Sequence, residues 1–526
     1  MKTFRVALLF AITLPLAAQT SKPTTVSPAT RAANALAAAK KAGPPELYAL
    51  LKNFPKGGDL HMHLSGAIYA ETFLAEGAKQ GMCVDTTKLS FTQPGKDGKC
   101  AAGQIMAADA LKNQSLYDKL IDSFSMRSFV PYAGYSGHDQ FFDTFDRFGG
   151  LKNVQGEWLD EVATRAAAQN EQYLEIMQTP SFSNAIAAAN KIGWPQGAEK
   201  SVTREQLTAL RTALLAIGLR NDIAIDKKEF STAKNSFETM AHCSPAPDFI
   251  DPKEQPACHV RIHWLYQVLR GFSPQQVFAQ TLLGFELASI DSDVVGINFV
   301  RAEDRRDAME EYHLEMQMLD YLHSVYPKVH ITLHAGELAP GIVPPDGLSF
   351  HIHEAIDVGH AERIGHGVDV LHENNSAALL KEMAAKHIDV EVNLTSNEVI
   401  LGIKGKDHPL HAYMAAHVPF SLSTDDEGVS RIDLTHEYVK AVEDQNLTYA
   451  DLKYSARNSL EYSFLLGKSL YTYPGNYAHR VAACAAPVTA KPVPAGACKA
   501  YLDANEKAAQ QYELERRFAE FEAAVR

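Results

Sequence analysis

Two histidines near the start of the chain, His61 and His63, are separated by a single residue. Alternate residues of a β-strand share a face, so both imidazoles would point the same way if this run is extended. Two imidazoles on one inward face could begin a zinc or iron site. The pair alone is weak evidence, since about one such pair is expected by chance with 21 histidines in 526 residues. His351 and His353 form a second pair.

Three further runs place polar residues where a strand would end. In the first, His334 is followed three positions later by Glu337. In the second, His366 stands between two glycines, and in the third, Asp425 and Asp426 are adjacent. The active sites of parallel α/β barrels are built at the carboxyl ends of the strands. Together with the first histidine pair, these runs indicate one site assembled from four strand ends.

Eight short β-rich runs alternate with helical stretches such as residues 308–326. The runs are residues 59–63, 173–177, 260–265, 294–300, 329–334, 363–366, 388–394 and 419–423. The third run also fits a helix. The alternation predicts an α/β fold, a (β/α)8 TIM barrel with a C-terminal helical extension. Because the gaps after strands 1 and 2 far exceed one crossover helix, we expect insertions there. A doubly wound sheet is the alternative, although no Gly-x-Gly-x-x-Gly follows any run.

The ordered motifs resemble those of the adenosine deaminase family of metal-dependent amidohydrolases, over residues 54–426 and somewhat beyond. The resemblance implies that His61, His63, His334 and Asp425 bind one Zn²⁺. Three neutral nitrogen donors and one carboxylate would keep the charge of this site positive. A water molecule there could then ionise near neutral pH.

The same resemblance assigns the remaining roles. Glu337 would donate a proton to N1 of a purine, and His366 would orient the attacking water. Asp425 would accept a proton from that water as well as bind the metal, and Asp426 would hydrogen-bond N7 of the base. The implied reaction converts adenosine or 2′-deoxyadenosine to inosine or 2′-deoxyinosine, with release of ammonia.

Two positions depart from the family pattern. Ser65 stands where these deaminases commonly carry an Asp that contacts the ribose, and a serine makes an uncharged, weaker interaction. Arg301 stands where the family usually has a glycine whose backbone N–H meets N3 of the purine. These changes leave AMP, adenine or a modified adenosine open as substrates. A non-catalytic exported binding or signalling protein is a further alternative.

The charge balance and the N-terminus indicate the location of the protein. The formal net charge of −13 argues against binding to nucleic acid. Lys2 and Arg5, followed by an apolar run to Ala18, predict a signal peptide, with a buried N-terminal helix as the alternative. No later run reaches membrane-spanning length. We therefore expect a secreted or periplasmic protein, most similar to the secreted, growth-factor-type branch of the family. A homodimer is the candidate assembly.

The six cysteines fall into three close couples, Cys83/Cys100, Cys243/Cys258 and Cys484/Cys498. Six cysteines allow fifteen pairings, and an exported chain favours disulfides. We expect the sequential pairing because each couple lies in a loop-like segment, with free buried thiols as the alternative.

The chain is predicted to comprise four parts. These are the signal peptide at residues 1–18, a helical lead-in at residues 19–54, the metal-dependent barrel with disulfide-bearing insertions at residues 55–470, and a C-terminal extension at residues 471–526. Within the extension, residues 501–526 are expected to form an amphipathic surface helix.

Overall fold

A computed structural model describes Met1 and residues 26–244, 251–492 and 495–525. Apart from Met1, the predicted signal peptide lies outside the described residues.

Eight strands form one parallel sheet in chain order, each pairing with the next strand of that sheet. They are β1 (Gly57–His63), β5 (Glu171–Gln178), β6 (Arg261–Leu269), β7 (Val294–Val300), β8 (His330–Ala335), β9 (Arg363–His366), β10 (Asp389–Val392) and β11 (Phe420–Leu422). Each predicted run overlaps one of these strands, including the third, which also fitted a helix. The (β/α)8 prediction is therefore confirmed, and the doubly wound alternative is wrong.

The first and last strands meet only at their carboxyl ends. The backbone N–H of Asp425 donates to the carbonyl of His61 (2.8 Å), and that of His63 donates to the carbonyl of Asp425 (3.4 Å). Asp425 has a φ of +59°, in the left-handed region that costs non-glycine residues energy. The nearly closed barrel is thus joined at the residues predicted to bind metal.

Helices cover the outside of the barrel between the strands. From β6 onward they are α11 (Pro274–Ala288), α12 (Arg306–Val325), α13 (His351–Asp357), α14 (Ser376–Lys386), α15 (Leu394–Leu401), α16 (Leu410–Ala415), α17 (Glu427–Ser430), α18 (Leu434–Asp444) and α19 (Tyr449–Glu461). The helix predicted at residues 308–326 corresponds to α12. α11 begins with local signals, since Oε1 of Gln276 accepts from the backbone N–H of Ser273 (3.3 Å) and Pro274 occupies the first turn.

The insertion after β1 contains a small antiparallel sheet and several helices. Its elements are α3 (Ala70–Lys79), β2 (Cys83–Asp85), β3 (Ser90–Thr92), β4 (Gln104–Met106), α4 (Ala107–Ala110), α5 (Gln114–Ser123) and α6 (Gly137–Phe148), and α7 (Gln155–Ala168) leads into β5. α6 packs against α15 and α17, which follow β10 and β11. This insertion therefore covers the carboxyl ends of those two strands.

The remaining elements lie between β5 and β6 and at the two ends of the chain. The second insertion contains α8 (Ser183–Ile192), α9 (Arg204–Ala216) and α10 (Arg220–Met240). The lead-in contains α1 (Pro28–Ala42) and α2 (Pro44–Leu51). The extension contains β12 (Tyr471–Tyr473), β13 (Asn476–Arg480), α20 (Ala497–Asp503) and α21 (Glu506–Ala524). The predicted terminal helix is divided in two between α20 and α21. Phe518 and Phe521 of α21 pack on Phe54 beside β1, with ring centroids 5.5 and 5.7 Å apart.

The three disulfides follow the predicted sequential pairing. Cys83 is bonded to Cys100, Cys243 to Cys258 and Cys484 to Cys498, and no cysteine is free. The alternative of free thiols is wrong. Three disulfides are typical of proteins from an oxidising compartment. Over the described ranges, none of the helices has both the length and the apolar character needed to cross a bilayer.

The Cys83–Cys100 disulfide should stabilise the first insertion. Its cysteines are 17 residues apart, and a loop of this size corresponds to about 3 kcal/mol. We expect the double variant Cys83→Ala/Cys100→Ala to lose that amount of unfolding free energy in urea denaturation. Unfolding would be monitored by tryptophan fluorescence, to which Trp158 in α7 contributes. In a reducing agent the difference from wild type should nearly vanish. Equal stability without reductant would contradict a stabilising role.

Candidate functional site

The four predicted metal ligands lie together at the carboxyl ends of their strands. The Nε2 atom of His334 lies 3.1 Å from Nε2 of His61 and 3.3 Å from Nε2 of His63. Oδ1 of Asp425 lies 3.6 Å from Nε2 of His61 and 3.2 Å from Nε2 of His63. Ligand atoms around a tetrahedral zinc ion, at about 2.0–2.1 Å from the metal, are about 3.3 Å apart. The spacing therefore fits one ion of this size.

The other ring nitrogen of each histidine contacts an acceptor. Nδ1 of His61 donates to Oε2 of Glu391 (2.6 Å). Nδ1 of His63 donates to Oε1 of Gln267 (2.7 Å). Because Nδ1 carries the hydrogen, Nε2 of each ring presents a lone pair to the common point.

His334 follows the same rule. Its Nδ1 lies 2.8 Å from Oδ1 of Asn298, and its backbone N–H donates to the same oxygen (3.3 Å). The backbone N–H can only donate, so it identifies this atom of Asn298 as the amide oxygen. Three imidazole nitrogens and a carboxylate that face one another at these distances form a donor set that suits zinc.

The three residues that contact Nδ1 of these histidines were not identified from the sequence. Gln267, Asn298 and Glu391 lie on β6, β7 and β10, each inside an otherwise largely apolar strand. A polar residue within a buried strand is the signal that could have revealed them. A fourth, Ser396, lies on α15 and donates from Oγ to Oδ2 of Asp425 (2.6 Å).

A buried arginine holds one of these groups in place. Nε of Arg363 donates to Oε1 of Glu391, and Nη2 of Arg363 donates to Oε2 of Glu175, both at 2.6 Å. Burial raises the pKa of Glu391, but Arg363 and His61 more than offset this and hold that pKa at about 2. Glu391 is therefore ionised and acts only as an acceptor for His61.

His366 lies beside the predicted ligands but differs in its hydrogen bonds. Together with His61, His334 and Asp425, it offers a ligand atom within 4.8 Å of the others, whereas His63 forms a second group with Asp425 and Asp426. Nδ1 of His366 contacts the amide nitrogen of Asn397 at 2.9 Å. Its Nε2 is buried and has no partner within the described residues. Burial, followed by the charge of His61, lowers the pKa of His366 to about 3.

Glu337 is buried next to this group, with Oε1 at 3.7 Å from Nδ1 of His366. Burial raises the pKa of the Glu337 carboxyl well above its usual range, and the charges of Asp425 and Glu303 raise it further. Glu303 also holds the backbone, since the N–H groups of Gly336 and Glu337 donate to its two oxygens (3.1 and 2.7 Å). Sequence analysis assigned no role to Glu303.

The residues predicted to contact substrate have different surroundings. Oδ1 of Asp426 is buried without a partner in the described part of the chain, and it lies so close to Gly66 that a Cβ there would be 1.4 Å away. Burial and then the charge of Asp425 raise the pKa of Asp426 well above its usual range. Ser65, which follows β1, is half-buried.

Arg301 lies at the end of β7 with its side chain exposed. Its guanidinium arm packs against Gly271, where a Cβ would lie 2.7 Å from Cδ of Arg301. Its φ of +142° belongs to a region that glycine adopts freely, which agrees with the glycine expected at this position.

A family model described as adenosine deaminase matches residues 253–469. Adenosine deaminase from Shewanella loihica is 36% identical over 136 residues, which are 26% of this chain and 38% of the relative. Adenosine deaminase from Clostridium perfringens strain 13 is 34% identical over 135 residues, or 26% and 37% of the two chains. The matched segment is thus similar to adenosine deaminases. The alignments nevertheless span less than two-fifths of the length of these curated relatives.

The segment that matches the family model contains part of the site. It supplies His334, Glu337, His366 and the two adjacent aspartates, whereas the two histidines of β1 lie before it. An amidohydrolase from Burkholderia ambifaria, with bound Zn, has the same fold with a TM-score of 0.50. It is 16% identical and covers 80% of this chain and 88% of its own.

The Glu391 carboxylate should strengthen metal binding through His61. We expect Glu391→Gln to lower zinc affinity by about 10–100-fold, as is usual when a partner of a metal-binding histidine is altered. Affinity would be measured by chelator competition and metal content by elemental analysis. The control is Glu362→Gln, because Glu362 contacts exposed His330 at the surface. Equal affinity in both variants would contradict this role.

The backbone at Arg301 should be strained. Such a conformation costs a non-glycine residue about 1–3 kcal/mol. A glycine avoids this cost, but its greater flexibility in the unfolded chain takes back about 0.5–1 kcal/mol of the gain. We expect Arg301→Gly to raise the free energy of unfolding by about 1 kcal/mol in urea denaturation. Arg301→Ala removes the same guanidinium but keeps Cβ, and it should give no such gain. The same result for both variants would rule out strain.

Proposed function

We propose that this chain is an exported, zinc-dependent hydrolytic deaminase that converts adenosine and 2′-deoxyadenosine to the inosine forms and ammonia. One observation carries the proposal: three imidazole lone pairs and a carboxylate converge on one point beside a buried carboxylic acid. The family of residues 253–469 supports the same chemistry. The three disulfides support an oxidising compartment, in agreement with the secreted, growth-factor-type branch.

His61, His63, His334 and Asp425 would hold the zinc ion. Bound there, zinc would supply a Lewis acid that lowers the pKa of a water molecule toward 7. Asp425 has a second role, because it can accept a proton from the water. Oδ2 of Asp425 already accepts a hydrogen bond from Ser396, which orients the carboxylate.

Glu337 would be the acid of the reaction. Replacing the amino group at C6 first requires the purine ring to accept a proton at N1. The raised pKa of Glu337 favours the protonated carboxyl, which is the form that this role requires. Glu303 fixes the backbone from which the side chain projects.

His366 and Asp426 would complete the contacts around the reacting ring. Nε2 of His366 is free to hydrogen-bond the attacking water. Asp426, protonated as its raised pKa implies, would donate from its unpartnered carboxyl to N7 of the base. Such a contact identifies the purine ring and not the sugar.

Ser65 and Arg301 would determine which purine compound is preferred. Ser65 offers one uncharged hydrogen bond to a ribose hydroxyl, and the backbone N–H of Arg301 is placed by the resemblance to meet N3. A second candidate substrate is AMP, which the exposed cation of Arg301 favours because it could attract a phosphate.

The proposal is tested by ammonia release from zinc-loaded protein with adenosine, 2′-deoxyadenosine, AMP and adenine. We expect turnover of the two nucleosides. Glu337→Gln is the matched control, and it should retain zinc but lose about 10²–10⁴-fold in kcat, as expected for a lost proton donor. Faster turnover of AMP would move the assignment to the second candidate. No ammonia from any of the four compounds would refute the proposed function.

A further inference from the structure

A chain of hydrogen bonds leads to His366 and begins at a backbone N–H group. The N–H of Leu410, the first residue of α16, donates to Nδ1 of His408 (3.1 Å). A backbone N–H can only donate, so Nδ1 of His408 is the acceptor. Burial lowers the pKa of His408 to about 3, so the ring is neutral and its single hydrogen lies on Nε2.

The next bond fixes an amide. Nε2 of His408 lies 3.1 Å from Oδ1 of Asn397 and must donate to it. The NH₂ group of Asn397 therefore faces the other way, where it donates to Nδ1 of His366 (2.9 Å). The amide nitrogen of Asn393 lies on the same side, at 3.4 Å. Both amides are fully buried, so no exchange with bulk water competes with these bonds.

The direction of the chain determines where the hydrogen of His366 lies. Because Nδ1 of His366 accepts, the hydrogen of the neutral ring is on Nε2. That nitrogen is buried and has no other partner in the described residues. The ring of His366 offers a nitrogen within 4.8 Å of the ligand atoms of His61, His334 and Asp425. A nitrogen that carries a hydrogen has no lone pair for a metal ion.

We propose that Asn397 and His408 are positioning residues that hold His366 in its Nε2–H form. His366 then donates a hydrogen bond to the attacking water and does not become an additional metal ligand. This inference rests on the proposed function for the identity of the water, but the position of the hydrogen does not depend on the substrate. It also accounts for the different roles of His63 and His366, because the partner of His63 is an acceptor and that of His366 is a donor.

The decisive variant is Asn397→Asp, which has nearly the same shape but two accepting oxygens. One oxygen still accepts from His408, and the other now accepts from Nδ1–H of His366, so the hydrogen of His366 moves to Nδ1. In zinc-loaded protein with ¹⁵N-labelled histidine rings, we expect the wild type to show protonated Nε2 and the variant protonated Nδ1. His366→Gln identifies the signals. We expect kcat to fall at least about 10-fold, with KM within about threefold and zinc content retained.

The second test concerns His408. His408→Leu removes the donor to Asn397 and should lower kcat, while His408→Gln can still donate an N–H to that amide and should restore most of it. His411→Leu is the matched control, because His411 lies three residues further along, in α16, and its ring contacts the carbonyl of Gln445 (2.8 Å) and not Asn397. Equal losses in the Leu and Gln variants of His408 would overturn its role.

The labelled-ring measurement separates this inference from the proposed function. A wild type that releases no ammonia from any purine refutes the function, yet the ring signals still report where the hydrogen of His366 lies. Protonated Nδ1 in the zinc-loaded wild type would overturn the inference even if the enzyme is active. An Asn397→Asp protein with unchanged ring signals and unchanged kcat would overturn it as well.

Discussion

The site depends on the backbone pairing that joins the first and last strands of the barrel. Asp425 exchanges hydrogen bonds with His61 and His63 through main-chain groups, so its carboxylate is brought to the two histidines by the closure of the barrel itself. The left-handed φ of Asp425 is an energetic cost that persists only because the surrounding pairing determines this conformation. The backbone pairing that closes the barrel therefore also sets the positions of the predicted ligands.

Buried charge makes that geometry rigid. Arg363 joins Glu175 on β5 to Glu391 on β10, and Glu391 in turn holds His61. Removing one member of such a buried set leaves an uncompensated charge, which typically costs about 3–5 kcal/mol. The interior of the barrel thus carries a polar network in addition to its apolar packing. This network connects β5 and β10 to the imidazole of His61. The first insertion lies over the same end of the barrel through α6.

The strands could be predicted because their residue types are local signals, but their ends could not always be predicted. β11 begins at Phe420 and not at Pro419, because proline has no N–H to donate within a sheet. β10 ends at Val392, since Leu394 already begins α15. β6 continues to Leu269, beyond the predicted end, because its pairing with β7 extends to that residue. The small sheet of the first insertion was not predicted, since its three-residue strands are too short to show a period.

The sequence by itself determined which residue types occupy the strand ends, and their order along the chain indicated the family and the chemistry. Only the tertiary structure decided which nitrogen of each ring faces the common point. Glu391 is 330 residues from His61, and Gln267 is 204 residues from His63. A hydrogen on an imidazole is placed by the partner of its other nitrogen. Those partners come from distant strands and helices, so no local pattern in the sequence encodes them.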